Sequence, residues 1–149
     1  MALFLSTFIN KIDSKGRVCV PAQFRSTLAS NDFMGVVVYE SFTNDCIEGC
    51  DLERISNLSE AIDNLDPFSE ERDAFASTIL GSAVQLPFDN DGRIILPPKL
   101  IEKAKIKNKA VFIGKGKTFE IWQEENFEEY IIKARQKAKT SRNLLKKPA

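Results

Sequence analysis

The stretch Asp13-Ser14-Lys15-Gly16-Arg17-Val18-Cys19-Val20-Pro21 returns as Asp89-Asn90-Asp91-Gly92-Arg93-Ile94-Ile95-Leu96-Pro97. Asp, Gly, Arg and Pro recur at one offset of 76 positions, and both copies place three apolar residues between Arg and Pro. One short unit, strand–turn–strand–helix, is therefore duplicated, and a duplication governs every later reading of the fold. Asp at the first turn position and Gly at the fourth fit a type I turn, with Gly taking a left-handed conformation at little cost. Each copy is thus expected to form a hairpin with a loop of about four or five residues. Phe8, Asn10 and Ile12 alternate into the first turn, and Val84, Leu86 and Phe88 into the second. Val18-Cys19-Val20 and Ile94-Ile95-Leu96 are apolar throughout, which predicts strands buried on both faces. Pro21 and Pro97 end those strands and suit the first position of a helix, so short helices are expected over 22–29 and 98–104.

Turn chemistry asks for Asp and Gly but not for Arg in the next place, and the chain supplies one twice, as Arg17 and Arg93. Two readings stand. In one, each Arg pairs with an Asp and braces its own hairpin or the other copy's. In the other, a guanidinium is held on a rigid hairpin, ready for phosphates or a guanine edge.

With 149 residues, 43% hydrophobic and 28% charged, the chain has the size and make-up of one soluble domain. No apolar run approaches a membrane span, and the apolar start at 1–5 turns polar too soon for a signal peptide. A cytoplasmic location is expected, and three cysteines, an odd number, fit a reducing compartment. The formal charge of zero argues against a bulk polycation gripping nucleic acid. Its distribution is polarised: residues 41–82 hold ten acids against two bases, and residues 133–149 hold seven bases and no acid. Local fields, not totals, steer a charged partner.

Between the copies, 35–39 is an apolar, β-branched run that reads as a buried strand after a turn at Asn31-Asp32, and Cys46-Ile47 starts a further short strand. Asp51 reads as a helix cap before the stripe Ile55, Leu58 and Ile62, and Asp66-Pro67 breaks that helix. Ser69 caps the next one, whose apolar face is Phe75, Ile79 and Leu80, with Gly81 as its stop. After the second copy come strands at 110–113 and 118–122 and a last helix over 124–138, acidic at its start and basic at its end.

Nothing assembles an active site. Histidine, the commonest general base and metal ligand at neutral pH, is absent from the sequence. Cys46 and Cys50 lack the spacing of a redox or zinc pair, and only Cys19 remains to complete a site. Cys19 is expected in the core, and Cys46 and Cys50 are expected to be partly buried and inert. No metal, cofactor or small-molecule substrate is expected, and the chain does not read as an enzyme.

The two copies of Asp-x-x-Gly-Arg followed by three apolar residues and Pro resemble the MraZ family of bacterial transcription regulators, in the SpoVT–AbrB superfamily of swapped-hairpin DNA-binding domains. Pro21-Ala22-x-Phe24-Arg25, Leu80-Gly81-Ser82-Ala83 and Phe119-Glu120-Ile121-Trp122 match as well, in order, over about residues 4–127. The resemblance implies a mainly β, α+β fold. Two tandem AbrB-like halves, 6–53 and 82–126, would interlock their hairpins into one double-psi-like β-barrel. Linking helices at 54–81 and a C-terminal helix and basic tail at 127–149 would flank it.

It further implies a ring-shaped homo-oligomer, associated with the nucleoid, that binds direct repeats in double-stranded DNA. Those repeats would lie upstream of the division and cell-wall gene cluster that begins with the regulator's own gene. Carried over by position, the DNA-facing residues are Asp13, Lys15, Gly16, Arg17 and Arg25 in the first half, and Gly92 and Arg93 in the second. Asp13, Gly16, Asp89 and Gly92 would structure the turns. One departure stands out: Asp91 sits where the first turn has Lys15, so the second tip is acidic. Two rival readings are a structural ring without DNA affinity and an AbrB-like antitoxin or protein-interaction module. The first would need no Arg at both tips; the second would use a disordered tail, where this chain has two halves and a short basic end.

Overall fold

The computed structural model describes residues 2–29 and 32–146. Asn31 of the expected turn and the end of the basic tail lie outside those residues. The first half runs β1 (Thr7–Lys11), β2 (Arg17–Cys19), α1 (Ala22–Leu28), β3 (Gly35–Glu40) and β4 (Ile47–Cys50). Two helices follow, α2 (Leu52–Asp63) and α3 (Glu70–Phe75), the latter prolonged by a π-helical turn at Ala76–Leu80. The second half repeats the order with β5 (Val84–Pro87), β6 (Arg93–Ile95), α4 (Pro98–Ala104), β7 (Lys109–Gly114) and β8 (Phe119–Gln123). A last helix, α5 (Glu124–Thr140), leads to a short 3-10 turn at Arg142–Leu144.

The hairpin expectation holds at the turns and fails along the strands. Asp13 N donates to Arg17 O at 3.1 Å, and one bridge joins Ile12 to Val18. Beyond that bridge the two strands part. β1 pairs with β7 and β2 pairs with β6, while β5 pairs with β3. Each half therefore lends its first strand to the third strand of the other. The resulting six-stranded antiparallel sheet, β1-β7-β8-β4-β3-β5, reads the same from either end when the halves are exchanged. β2 and β6 form a separate two-stranded ribbon. The fold is α+β, as expected. Among the described residues no ladder joins ribbon and sheet into a closed barrel.

Ribbon and sheet share one core. Val18, Val20, Ile94 and Leu96 from the ribbon side meet Val36, Val38, Phe112 and Ile121 from the sheet, around Phe24 of α1. The β3 run is apolar throughout because both faces are covered. Val36 and Val38 face this core, and Val37 and Tyr39 face α2 and the π turn through Ile62 and Ile79. On that same outer side, Phe127 and Tyr130 of α5 pack on Trp122, with Tyr130 stacked at 4.4 Å.

The helix signals were local and mostly accurate. Asp51 Oδ1 accepts from Arg54 N at 2.7 Å, and Ser69 Oγ accepts from Arg72 N at 3.2 Å. Pro21 and Pro97 take the cap position, one residue ahead of the expected place, and Pro98 opens α4. No helix of the described residues is long and apolar enough to cross a membrane.

Candidate nucleic-acid interface

The two turns are built alike. Asp13 Oδ1 accepts the main-chain N–H groups of Lys15 and Arg17, both at 2.9 Å, and Oδ2 accepts Arg17 Nε at 2.7 Å. Asp89 Oδ1 accepts Asp91 N and Arg93 N, again at 2.9 Å, and Oδ2 accepts Arg93 Nε at 2.9 Å. Gly16 and Gly92 sit at φ +85° and +76°, where a side chain is strained. One aspartate thus shapes each turn and aims the arginine that follows it. The N–H of Arg17, then its side chain, holds the Asp13 carboxyl below its ordinary value, and Arg93 does the same for Asp89. Of the two readings of these arginines, the brace is real and lies within each turn.

Each turn is anchored on the other half. Gly16 O accepts from Leu96 N at 2.8 Å, and Gly92 O accepts from Val20 N at 3.1 Å. A side chain on Gly16 would strike Leu96 O and Ile101 of α4, and one on Gly92 would strike the Arg25 guanidinium from α1. Arg25, placed by the resemblance among the DNA-facing residues, is half-buried and lies across the second turn rather than beside the first. Its Nε is buried without a hydrogen-bond partner among the described residues.

Strand alternation divides the ribbon. Val18 and Ile94 point into the core at 1% exposure each, so Arg17, Cys19, Arg93 and Ile95 form the outward face. This corrects the expectation of burial on both sides: Ile95 is 59% exposed and Cys19 is exposed, not in the core. Period-two alternation carried that signal, and the run of apolar letters hid it. In register, Arg17 lies opposite Ile95 and Cys19 opposite Arg93. The two arginines are therefore diagonal neighbours, roughly 7–8 Å apart at the backbone. A two-stranded ribbon of this kind has the width to enter the major groove of DNA.

The tips differ electrostatically. Arg17 spends its Nε on Asp13, and its terminal nitrogens have no partner among the described residues. Arg93 spends its Nε on Asp89 and also holds Nη2 3.4 Å from Asp91 Oδ2. Lys15 stands exposed beside Arg17. The first tip thus offers a free guanidinium edge and an extra cation; the second offers a largely neutralised arginine.

Elsewhere the buried ionisable groups are structural. Glu120, a buried carboxylate, accepts from Trp122 Nε1 at 2.8 Å and pairs with Lys115 at 2.9 Å. Burial pushes the Cys50 thiol up to about 12 and raises Cys46 as well, so both stay protonated at neutral pH. No group of three His, Cys, Asp or Glu side chains among the described residues is placed to hold a metal ion.

Similarity to known proteins gives the family. A regulator from Pelagibacter ubique, named transcriptional regulator MraZ, is 52% identical over 97% of this chain and 93% of its own length. The chain belongs to the MraZ family. The MraZ regulators of Rickettsia felis and Rickettsia bellii are each 49% identical over 98% of both chains. The family model described as "MraZ protein, putative antitoxin-like" matches residues 79–147, which span the second copy and the C-terminal helix.

Proposed function

We propose that this MraZ-family chain is a DNA-binding transcription regulator whose reading surface is the outward face of the β2–β6 ribbon. The observation that carries the reading is the contrast between tips: a guanidinium aimed by Asp13 and otherwise unspent, with Lys15 beside it. An aspartate that fixes Nε leaves the two terminal nitrogens to meet the O6 and N7 of guanine, or a phosphate, in a bidentate way. In this scheme Arg17 makes the base or phosphate contact, and Lys15 adds a phosphate contact. Asp13 and Gly16 hold the turn. Gly92 and Arg93 form a weaker second contact, and Arg25 acts by backing that turn.

A neutral subunit that brings so few cations to its ribbon tips binds DNA weakly, because affinity follows the number of phosphates neutralised. A ring of identical subunits would present several tips at fixed spacing to direct repeats upstream of the division and cell-wall genes. The gain would come from effective concentration rather than from stronger individual contacts. Retardation of a fragment from this gene's own upstream region tests the reading. Binding should fall steeply with added salt, and a shuffled fragment should bind much more weakly. Equal binding of native and shuffled fragments would end the sequence-specific reading.

Cys19 is a built-in reporter for this surface. In the native protein a maleimide should label Cys19 and spare the buried Cys46 and Cys50. The bulky adduct, placed opposite Arg93, should block operator binding, and bound operator should protect the thiol. Cys19→Ala should bind DNA normally, since the Sγ makes only a long contact of 3.5 Å with Asp91 O. Full labelling with undiminished binding would move the DNA surface elsewhere.

A further inference from the structure

On the outer side of the fold lies an apolar groove of about 280 Å³ that takes no part in the DNA-binding surface. Ile62 and Ile79 form its floor, and Phe42, Leu58, Leu65 and Phe75 line its sides. Phe42 is 55% exposed and stands edge-on to Phe75 at 5.6 Å, and Phe68 in the adjoining loop is 94% exposed. Exposed apolar side chains gathered in one place, rather than scattered singly, raise the question of what covers them. Its surroundings are acidic. Glu60, Asp66, Glu70, Glu71 and Asp73 of the α2–α3 hairpin have no salt bridge among the described residues, and Asp63 is paired with Arg72.

The chain also carries the complement. From Lys133 onward α5 and its extension present Arg135, Lys137, Lys139, Arg142 and Lys146, all exposed and without ion pairs among the described residues. Within this basic run Leu144 and Leu145 stand 74% and 89% exposed. An uncovered apolar pair flanked by bases thus matches an uncovered apolar groove flanked by acids. The chain's own groove is not the place where this pair docks. α5 is one unbroken helix of 17 residues, about 25 Å long. It is pinned at its start by Phe127 and Tyr130 on Trp122, and its far end stands in solvent.

We infer that the basic C-terminal segment of one copy docks through Leu144 and Leu145 into the groove of Phe42, Leu65 and Phe75 on a second copy. The arrangement is head-to-tail: each chain gives a tail and receives one. Its repetition closes a ring or runs on as a filament, according to the rotation between copies. The inference deepens the self-assembly proposed above by naming its surfaces, and it rests on that assembly. Its charged component is screened by salt and its apolar component is not.

Two measurements test it. The first uses chains in a Cys19→Ala background, one carrying Leu65→Cys and the other Leu144→Cys, mixed under mild oxidation. A disulfide-linked pair of different chains is expected, and its yield should drop when Leu145→Asp is added to the second chain. The second is light scattering of a chain ending at Thr140 and of Leu144→Asp/Leu145→Asp, with melting temperature as the control for folding. Loss of the large assembly with an unchanged melting temperature is expected, since both leucines lie in solvent within one chain. Wild-type mass in both variants, with no cross-link, overturns the docking and leaves the assembly standing. A wild-type chain that is itself monomeric removes the assembly and the docking together. A cross-link that forms only when both cysteines share one chain shows docking within a chain and also overturns the inference.

Discussion

Arg17→Ala should abolish or severely weaken operator binding while leaving melting temperature and assembly unchanged. The side chain is removed from an exposed tip, and the turn keeps its shape without it. Asp13 Oδ1 is held by main-chain N–H groups of Lys15 and Arg17, which the substitution leaves in place, and Gly16 N still donates to Asp13 O at 3.0 Å. Removing one bidentate arginine–base pair costs about 1–3 kcal/mol at each engaged tip. Every 1.4 kcal/mol or so is a tenfold change in affinity, so two or three engaged tips multiply even the low figure into a severe loss. Arg93→Ala should be milder on DNA, because that guanidinium is already shared between Asp89 and Asp91. Operator affinity and melting temperature of the two variants decide the matter. Normal binding by Arg17→Ala beside abolished binding by Arg93→Ala would place the DNA surface on the other tip.

The aspartates also set how this surface answers to acid. Folding lowers the carboxyl of both Asp13 and Asp89 from the ordinary value of 3.8. A group with a depressed native pKa adds stability above its unfolded value and loses it as pH falls through the native one. Both turns therefore stay clamped across the neutral range and release only in strong acid. The aim of Arg17 should accordingly be insensitive to physiological pH, which leaves salt as the variable expected to modulate the proposed binding.

What was legible in the chain was local. Asp13 and Gly16 announce their turn because an Asx side chain and a left-handed residue act within four positions, and Asp51, Ser69 and the α4 span followed from the same kind of chemistry. The pairing of strands was not legible from residues alone. Two near-identical copies offer each first strand two equivalent partners, and periodicity does not choose between its own half and the other. The swapped register, β1 with β7 and β5 with β3, depends on residues far apart in sequence. The ribbon defied its apolar letters for a related reason. Cys19 and Ile95 lie in strands covered on one side only, and coverage is a property of the assembled fold. Likewise the difference between Arg17 and Arg93 was visible as Asp91 against Lys15. That Arg25 backs the second turn, where α4 places Ile101 against the first, required the interlock itself.

Phe24→Ala should destabilise the whole fold, and more than any surface substitution. Phe24 comes from α1 of the first half and is fully buried. Its ring meets Phe4 at 5.3 Å and Phe8 at 5.5 Å on its own side, then Phe119 at 5.0 Å and Phe112 at 6.3 Å on the other. Removing it empties the point where the two halves touch, and rings held by β7 and β8 cannot collapse far into the gap. Buried Phe→Ala changes cost about 3–5 kcal/mol. Against a total stability of about 5–15 kcal/mol for a domain, that is a large fraction. The midpoint of thermal unfolding should fall by on the order of 10 °C for a chain of this size. Because each half lends strands to the other, both should unfold in one transition, with the denaturant slope unchanged. Phe24→Leu, which refills most of the space, should recover much of the stability. Two separated transitions in the Ala variant would show halves that fold independently, and the interlock would then not be what holds this fold together.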